Sequence, residues 1–265
     1  MKYCRFQLED HAEYGLVESI AGKEEITRRL LKSPYEGRDL EDLPSKAISR
    51  IPLDGARLLV PVEPSKIVCV GRNYREHAAE LGNEVPLEPL IFLKPPSSLL
   101  ASGQTIRRPR ISERTDYEGE LAAVIGRPCY KPAADEDLRP FVLGYTALND
   151  FTARDLQRKD GQWTRGKGFD TFCPVGPAVT DEIDPWAGVE VETRVNGEVR
   201  QHGNTRDFVF PLDVILRYIT AVMTLVPGDL VATGTPEGVG PVIAGDVVEI
   251  TIGGLGTLRN PVADE

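Results

Sequence analysis

Apolar residues in this chain come in short runs, each closed by Gly, Pro, Asn or Asp. Runs of this length with turn residues between them predict strands. The candidates are Ser65–Gly71, Ile91–Leu93, Leu121–Ile125, Phe141–Leu148, Val189–Val195, Leu230–Thr233 and Val247–Ile252. Asn196-Gly197 is a hairpin turn signal at the end of one of them. Three segments predict helices instead. Asn73–Gly82 has Asn73 as N-cap, Glu76 in the capping-box position and Gly82 as stop, and the others are Thr152–Gln157 and Pro211–Met223. Towards the N-terminus, Tyr3–Leu8 and Tyr14–Ser19 read as strands, and Lys23–Leu31 as a helix ending before Ser33-Pro34. Pro61 and Pro64 mark a boundary, which gives a small N-terminal α+β domain (1–60) and a larger domain (61–265). The pattern is mostly β (α+β), without the strand–helix alternation of a Rossmann fold.

Composition narrows the function. A formal net charge of -10 argues against nucleic acid as partner, which needs clustered Lys and Arg. An anionic substrate would then require a locally positive site, made by a bound cation or a few converging basic side chains. The four cysteines, Cys4, Cys69, Cys129 and Cys173, form no C-x-x-C pair and read as buried thiols in a reducing compartment. MKYCRFQLED is too charged for a signal peptide, and no apolar run approaches the roughly 18 residues that span a membrane. The expectation is a cytoplasmic protein.

Chemistry concentrates in Asp116-Tyr-Glu118-Gly-Glu120, which leads directly into Leu121–Ile125. Alternation along a strand points Glu118 and Glu120 to the same face. Two carboxylates two apart are also what a solvated face looks like. However, Asp150 closes a second apolar run, and an acid at the end of a buried strand needs a partner. Three converging acids suit a hard divalent cation, Mg²⁺ or Mn²⁺.

Seven motifs occur in order: GRNY-x-x-H-x-x-E (Gly71–Glu80), F-x-K-P-P-S-S (Phe92–Ser98), DYEGELA (Asp116–Ala122), LNDFTARDLQ (Leu148–Gln157), GKGFDTFCPVGP (Gly166–Pro177), GDLVATGTPEGVG (Gly228–Gly240) and GDVVEITIGGLGTLRNPV (Gly245–Val262). Over about residues 65–262 the chain resembles the fumarylacetoacetate hydrolase family. The resemblance implies a β-roll catalytic domain, a homodimer, and Mg²⁺ or Mn²⁺ held by Glu118, Glu120 and Asp150. It also implies that His77 and Glu80, at i and i+3 on one helix face, form a dyad in which His77 activates water and Glu80 orients its ring. Lys167 is the family's active-site lysine on the same basis. Arg72, Arg154, Gln157 and Thr235 fall at substrate-binding positions, with the arginines available for a second carboxylate. Outside the resemblance, a lone H-x-x-E or a lysine in a glycine loop is an ordinary surface feature.

The expected activity is C–C bond hydrolysis or decarboxylation of a small 2-oxo acid, an acylpyruvate or oxaloacetate, through a metal-stabilised enolate. The alternative on the same scaffold is isomerisation of 2-hydroxyhepta-2,4-diene-1,7-dioate or tautomerisation of oxaloacetate. A metal- or metabolite-binding protein without turnover ranks below both. Gly253-Gly-Leu-Gly256 is no nucleotide loop, since too little chain follows it for the helix such a loop needs. Cys173 reads as packing, and His11 and His202 take no role.

Overall fold

The computed structural model describes residues 1–36, 43–80 and 84–265, with the side chains of residues 77–79 outside that description. Strands β1 (Lys2–Leu8), β2 (His11–Ile20), β3 (Lys23–Leu30) and β4 (Ser45–Pro52) form an antiparallel meander, followed by the short β5 (Leu58–Leu59). Next come β6 (Ile67–Gly71), helix α1 (Arg75–Glu80), β7 (Leu90–Lys94), β8 (Leu99–Ala101), β9 (Ile106–Arg108), β10 (Thr115–Tyr117), β11 (Gly119–Ile125), β12 (Val142–Asn149) and β13 (Thr152–Ala153). Two short helices, α2 (Arg154–Asp160) and α3 (Thr164–Lys167), lead into β14 (Cys173–Thr180), β15 (Glu190–Val195), β16 (Glu198–Asn204) and helix α4 (Leu212–Val222). The chain ends with β17 (Leu230–Ala232), β18 (Gly240–Val242), β19 (Val247–Ile252) and β20 (Gly256–Asp264).

The large sheet runs β4-β3-β2-β1-β14-β12-β11-β17-β6-β7, with β5 on β1 and β8 on β14. A five-stranded sheet, β16-β15-β19-β20-β9, and a three-stranded one, β13-β10-β18, complete the fold, which is mostly β as expected. The central strand β11 is buried along its whole length. Leu121, Ala123 and Ile125 face one core with Val191, Ile250 and Ile215, while Ala122 and Val124 face another with Ile67, Cys69 and Leu230. A strand covered on both faces shows a continuous apolar run, which is how this one reads in the sequence.

Two expected helices are corrected. The sequence predicts a helix over Lys23–Leu31, yet Lys23–Leu30 is strand β3, paired on both sides. Ile26 and Leu30 are its buried residues, and their i, i+4 spacing fits either period. The preceding Ala21-Gly22, with φ of 50° and 79°, forms a tight reversal that returns the chain onto β2. Thr152 and Ala153 pair with β10, so that helix begins at Arg154 and ends at Gly161, with φ 67°. Helix α1 begins at Arg75, which leaves Asn73 one residue too far back to be its N-cap. The Asn73 side chain donates to Thr233 O (2.8 Å) and Phe210 O (3.3 Å) and accepts from Phe210 N (2.8 Å). Gly82, expected as the helix stop, lies outside the described residues. Among the described residues, no helix is long and apolar enough to cross a membrane.

Candidate metal centre and substrate cleft

The sheet register builds the acidic cluster. Gly119 on β11 pairs with Asn149 on β12, so Glu118 and Glu120 flank the point where Asp150 leaves β12. The turn is pinned by Asp150 N donating to Glu118 O (2.9 Å) and Glu118 N donating to Asn149 Oδ1 (3.0 Å). β17 closes the other side, where the Thr233 hydroxyl and amide both donate to Leu121 O and Gly234 N donates to Glu120 Oε2 at 2.8 Å. One oxygen from each of Glu118, Glu120 and Asp150 lies within 4.8 Å of the others, and all three residues are buried.

Cations surround two of these acids. Lys167, at the end of α3, donates from Nζ to Glu118 Oε2 (2.8 Å) and Asp150 Oδ2 (2.5 Å), and sits 5.0 Å from the Phe92 ring centroid. Burial opposes its charge, but Asp150 and Glu118 outweigh burial and raise its pKa above the ordinary lysine value. Lys94, at the end of β7, donates to Asp150 Oδ1 (2.6 Å) and Phe151 O (3.1 Å). Arg154 donates to Asp116 Oδ2 (2.8 Å), to Gln157 Oε1 (2.6 Å) and to Glu118 Oε1. Glu120, by contrast, forms no ion pair among the described residues. Burial, then Asp150 and Glu118, push its carboxyl well above the usual range. A buried acid without a cation, converging with two others on an all-oxygen site, fits a hard divalent ion such as Mg²⁺ or Mn²⁺.

A cleft of about 370 Å³ opens beside the acids, lined in part by Arg72, Phe92, Gln157, Arg158, Trp163 and Thr235. Arg72 follows β6 with φ 58°, a left-handed conformation rare for a non-glycine residue and often found at functional sites. The expected substrate residues therefore meet in one place, but they differ in what they can offer. All three guanidinium nitrogens of Arg154 are already used, and Gln157 accepts from it. The Thr235 hydroxyl donates to Gly119 O (2.9 Å) and accepts from Gln201 (2.7 Å). Glu80 accepts from Gly238 N at 3.1 Å, tying α1 to the loop after β17. His77 lies in the middle of α1, and its side chain is outside the described residues. Lys94 and Arg158 were not among the expected site residues. A lysine closing the apolar strand Leu90–Lys94 invites the same question as Asp150 closing its own run, and that question finds Lys94.

A family model described as Fumarylacetoacetate (FAA) hydrolase C-terminal matches residues 66–263. Oxaloacetate tautomerase YisK of Bacillus subtilis is 41% identical over 224 residues, covering 80% of this chain and 76% of that protein. The structure of 2-hydroxyhepta-2,4-diene-1,7-dioate isomerase from Mycobacterium marinum superposes with a TM-score of 0.87 at 42% identity, covering 100% of this chain and 99% of that one. Fumarylpyruvate hydrolase from Pseudomonas aeruginosa, solved in complex with Mn²⁺ and pyruvate, gives 0.71 at 34% identity, covering 78% and 91%. The acidic cluster, the motif order and a family match running from residue 66 to residue 263 agree, and the chain belongs to the fumarylacetoacetate hydrolase family of enzymes.

Proposed function

We propose that the protein moves a proton at the carbon next to the ketone of a small 2-oxo acid, interconverting keto and enol forms, with Mg²⁺ or Mn²⁺ held by Glu118, Glu120 and Asp150. The observation that carries this reading is the convergence of three buried carboxylates within 4.8 Å beside a cleft. A divalent ion there supplies Lewis acidity toward the 2-oxo acid head and the charge that develops on enolisation. Lys167, kept protonated by Asp150 and Glu118, adds a fixed positive charge in a water-poor site. Arg72 binds a carboxylate at the rim, and Gln157 and the Thr235 backbone complete the polar lining. Phe92 and Trp163 limit water on one wall. His77 is the proposed base, with Glu80 as its neighbour on α1.

Of the three proteins compared above, the tautomerase (41%) and the isomerase (42%) are more similar in sequence to this chain than the hydrolase (34%), which puts proton transfer ahead of C–C cleavage. Hydrolysis or decarboxylation of an acylpyruvate or oxaloacetate is the second reading, supported by the likeness to fumarylpyruvate hydrolase. In that reaction His77 would activate water. The deciding experiment incubates the protein with oxaloacetate and with acetylpyruvate, with Mg²⁺ or a chelator, following enol absorbance and pyruvate together. Metal-dependent enol loss without pyruvate supports proton transfer, and metal-dependent pyruvate supports cleavage. If neither compound changes faster than in protein-free controls, both readings fail. A homodimer is the proposed assembly, to be checked by light scattering.

A further inference from the structure

The positive end of the cleft differs from what the motifs suggest. Arg154, which the sequence offers for a second carboxylate, is committed to Asp116, Glu118 and Gln157. One turn further along α2, Arg158 also lines the cleft, at its exposed end. Residues at i and i+4 share a helix face, so α2 presents one arginine to the buried acids and the next to the opening. Among the described residues, Arg158 has no carboxylate partner, and neither does Arg72, which lines the same cleft.

An apolar pair lines the same cleft as these arginines and the buried acids. Trp163 and Phe92 meet edge to face with centroids 5.0 Å apart. The Trp163 ring packs so closely on Gly71 that a Cβ there would lie 2.9 Å from it. The cleft thus brings together buried carboxylates, an apolar aromatic pair and two guanidinium groups that have no carboxylate partner among the described residues. A molecule matching that lining has a chelating 2-oxo acid head, a short carbon spacer and a terminal carboxylate.

We propose that Arg158, together with Arg72, is the specificity-determining residue for a second, distal carboxylate, so that the protein selects 2-oxo dicarboxylic acids over their monocarboxylic counterparts. The inference rests on the proposed 2-oxo acid chemistry. Lys159, Arg158's neighbour at the same helix end, does not line the cleft and serves as an internal control. Both side chains suit the negative end of the helix dipole, so any effect through helix stability is common to the two.

The test is calorimetric binding to the Mg²⁺-saturated protein, using two pairs of probes that differ only in a terminal carboxylate against a methyl: oxaloacetate with 2-oxobutyrate, and 2-oxoglutarate with 2-oxopentanoate. One charge-assisted guanidinium–carboxylate contact predicts about a tenfold preference for the diacid in at least one pair. Arg158→Gln should abolish that preference by weakening the diacid alone, leaving the monoacid within about twofold. Lys159→Gln should retain it. A wild-type protein that binds both members of each pair equally overturns the inference but leaves the 2-oxo acid reading standing. A preference that survives Arg158→Gln, or is lost equally in Lys159→Gln, also overturns it. Failure to bind any of the four probes overturns the 2-oxo acid reading itself, and the inference with it.

Discussion

Each oxygen of Asp150 takes a different lysine, Lys94 on one and Lys167 on the other, whereas Glu120 takes a backbone amide. Removing a cation and removing an acid should therefore have opposite effects on stability. Lys94→Met leaves Asp150 half-paired in a dry site and should destabilise the protein by about 3–5 kcal/mol, read from urea midpoints. Glu120→Gln replaces a buried acid that forms no ion pair among the described residues and whose charged form burial, Asp150 and Glu118 disfavour, and should raise the metal-free protein's Tm slightly or leave it unchanged. The same variant should lose the stabilisation that divalent ions give the wild type, about 2.7 kcal/mol at a hundredfold excess over Kd. Thermal melts with and without Mn²⁺ check both halves. The three converging acids were legible because carboxylates at strand ends conflict with burial unless they share a cation. Arg154's commitment to Asp116 was not legible, because a substrate arginine and a salt-bridge arginine look alike until the fold supplies the partner. Arg158 carries no spacing signal at all, and only the cleft singles it out.

Among the elements, β11 and β19 were legible because their burial imposes an apolar run or a strict alternation. β3 was not, since its polar sequence gains strand structure from partners on both sides rather than from its own propensity. β14 was missed because Pro174, Gly176 and Pro177 punctuate it, yet it is buried throughout and pairs with β1, β8 and β12. The junction of β6, β17 and the segment before α4 depends on Asn73, whose amide bonds Thr233 and Phe210. Asn73→Ala should cost about 2–3 kcal/mol in urea unfolding, since it strips partners from several buried backbone groups at once. It should also weaken Mn²⁺ binding, because Gly234, beside Thr233, holds Glu120. Gly238 has φ 92° and its backbone faces Arg200 O, which a Cβ would approach to 1.9 Å. Gly238→Ala should disturb the Glu80 contact and the cleft wall more than its small volume suggests.

For the whole molecule, titration at high pH reads out the core. Burial pushes the Cys4 and Cys173 thiols up to about 12, and the Tyr14 and Tyr117 hydroxyls also to about 12. These groups stay protonated in the native state while the unfolded chain loses their protons near the ordinary values of about 8.5 and 10. The unfolded state then binds fewer protons, so stability falls as pH rises from about 9 toward 12. Urea midpoints measured at neutral pH and at two steps into that window should decline in order. All four thiols are buried, so a thiol reagent at mildly alkaline pH should label none in the native protein and four after unfolding.

β17 lies between β6 and β11, although it comes more than a hundred residues after either. During synthesis, two apolar strands must wait for a neighbour that has not yet been made, each presenting an unpaired hydrogen-bonding edge. A chain ending before Leu230 should therefore aggregate, as open apolar edges do. In refolding, Mn²⁺ uptake should lag behind the recovery of β circular dichroism, because Glu120 is held only once Gly234 has arrived. Capture of the ion would then mark the last step of the chain's assembly.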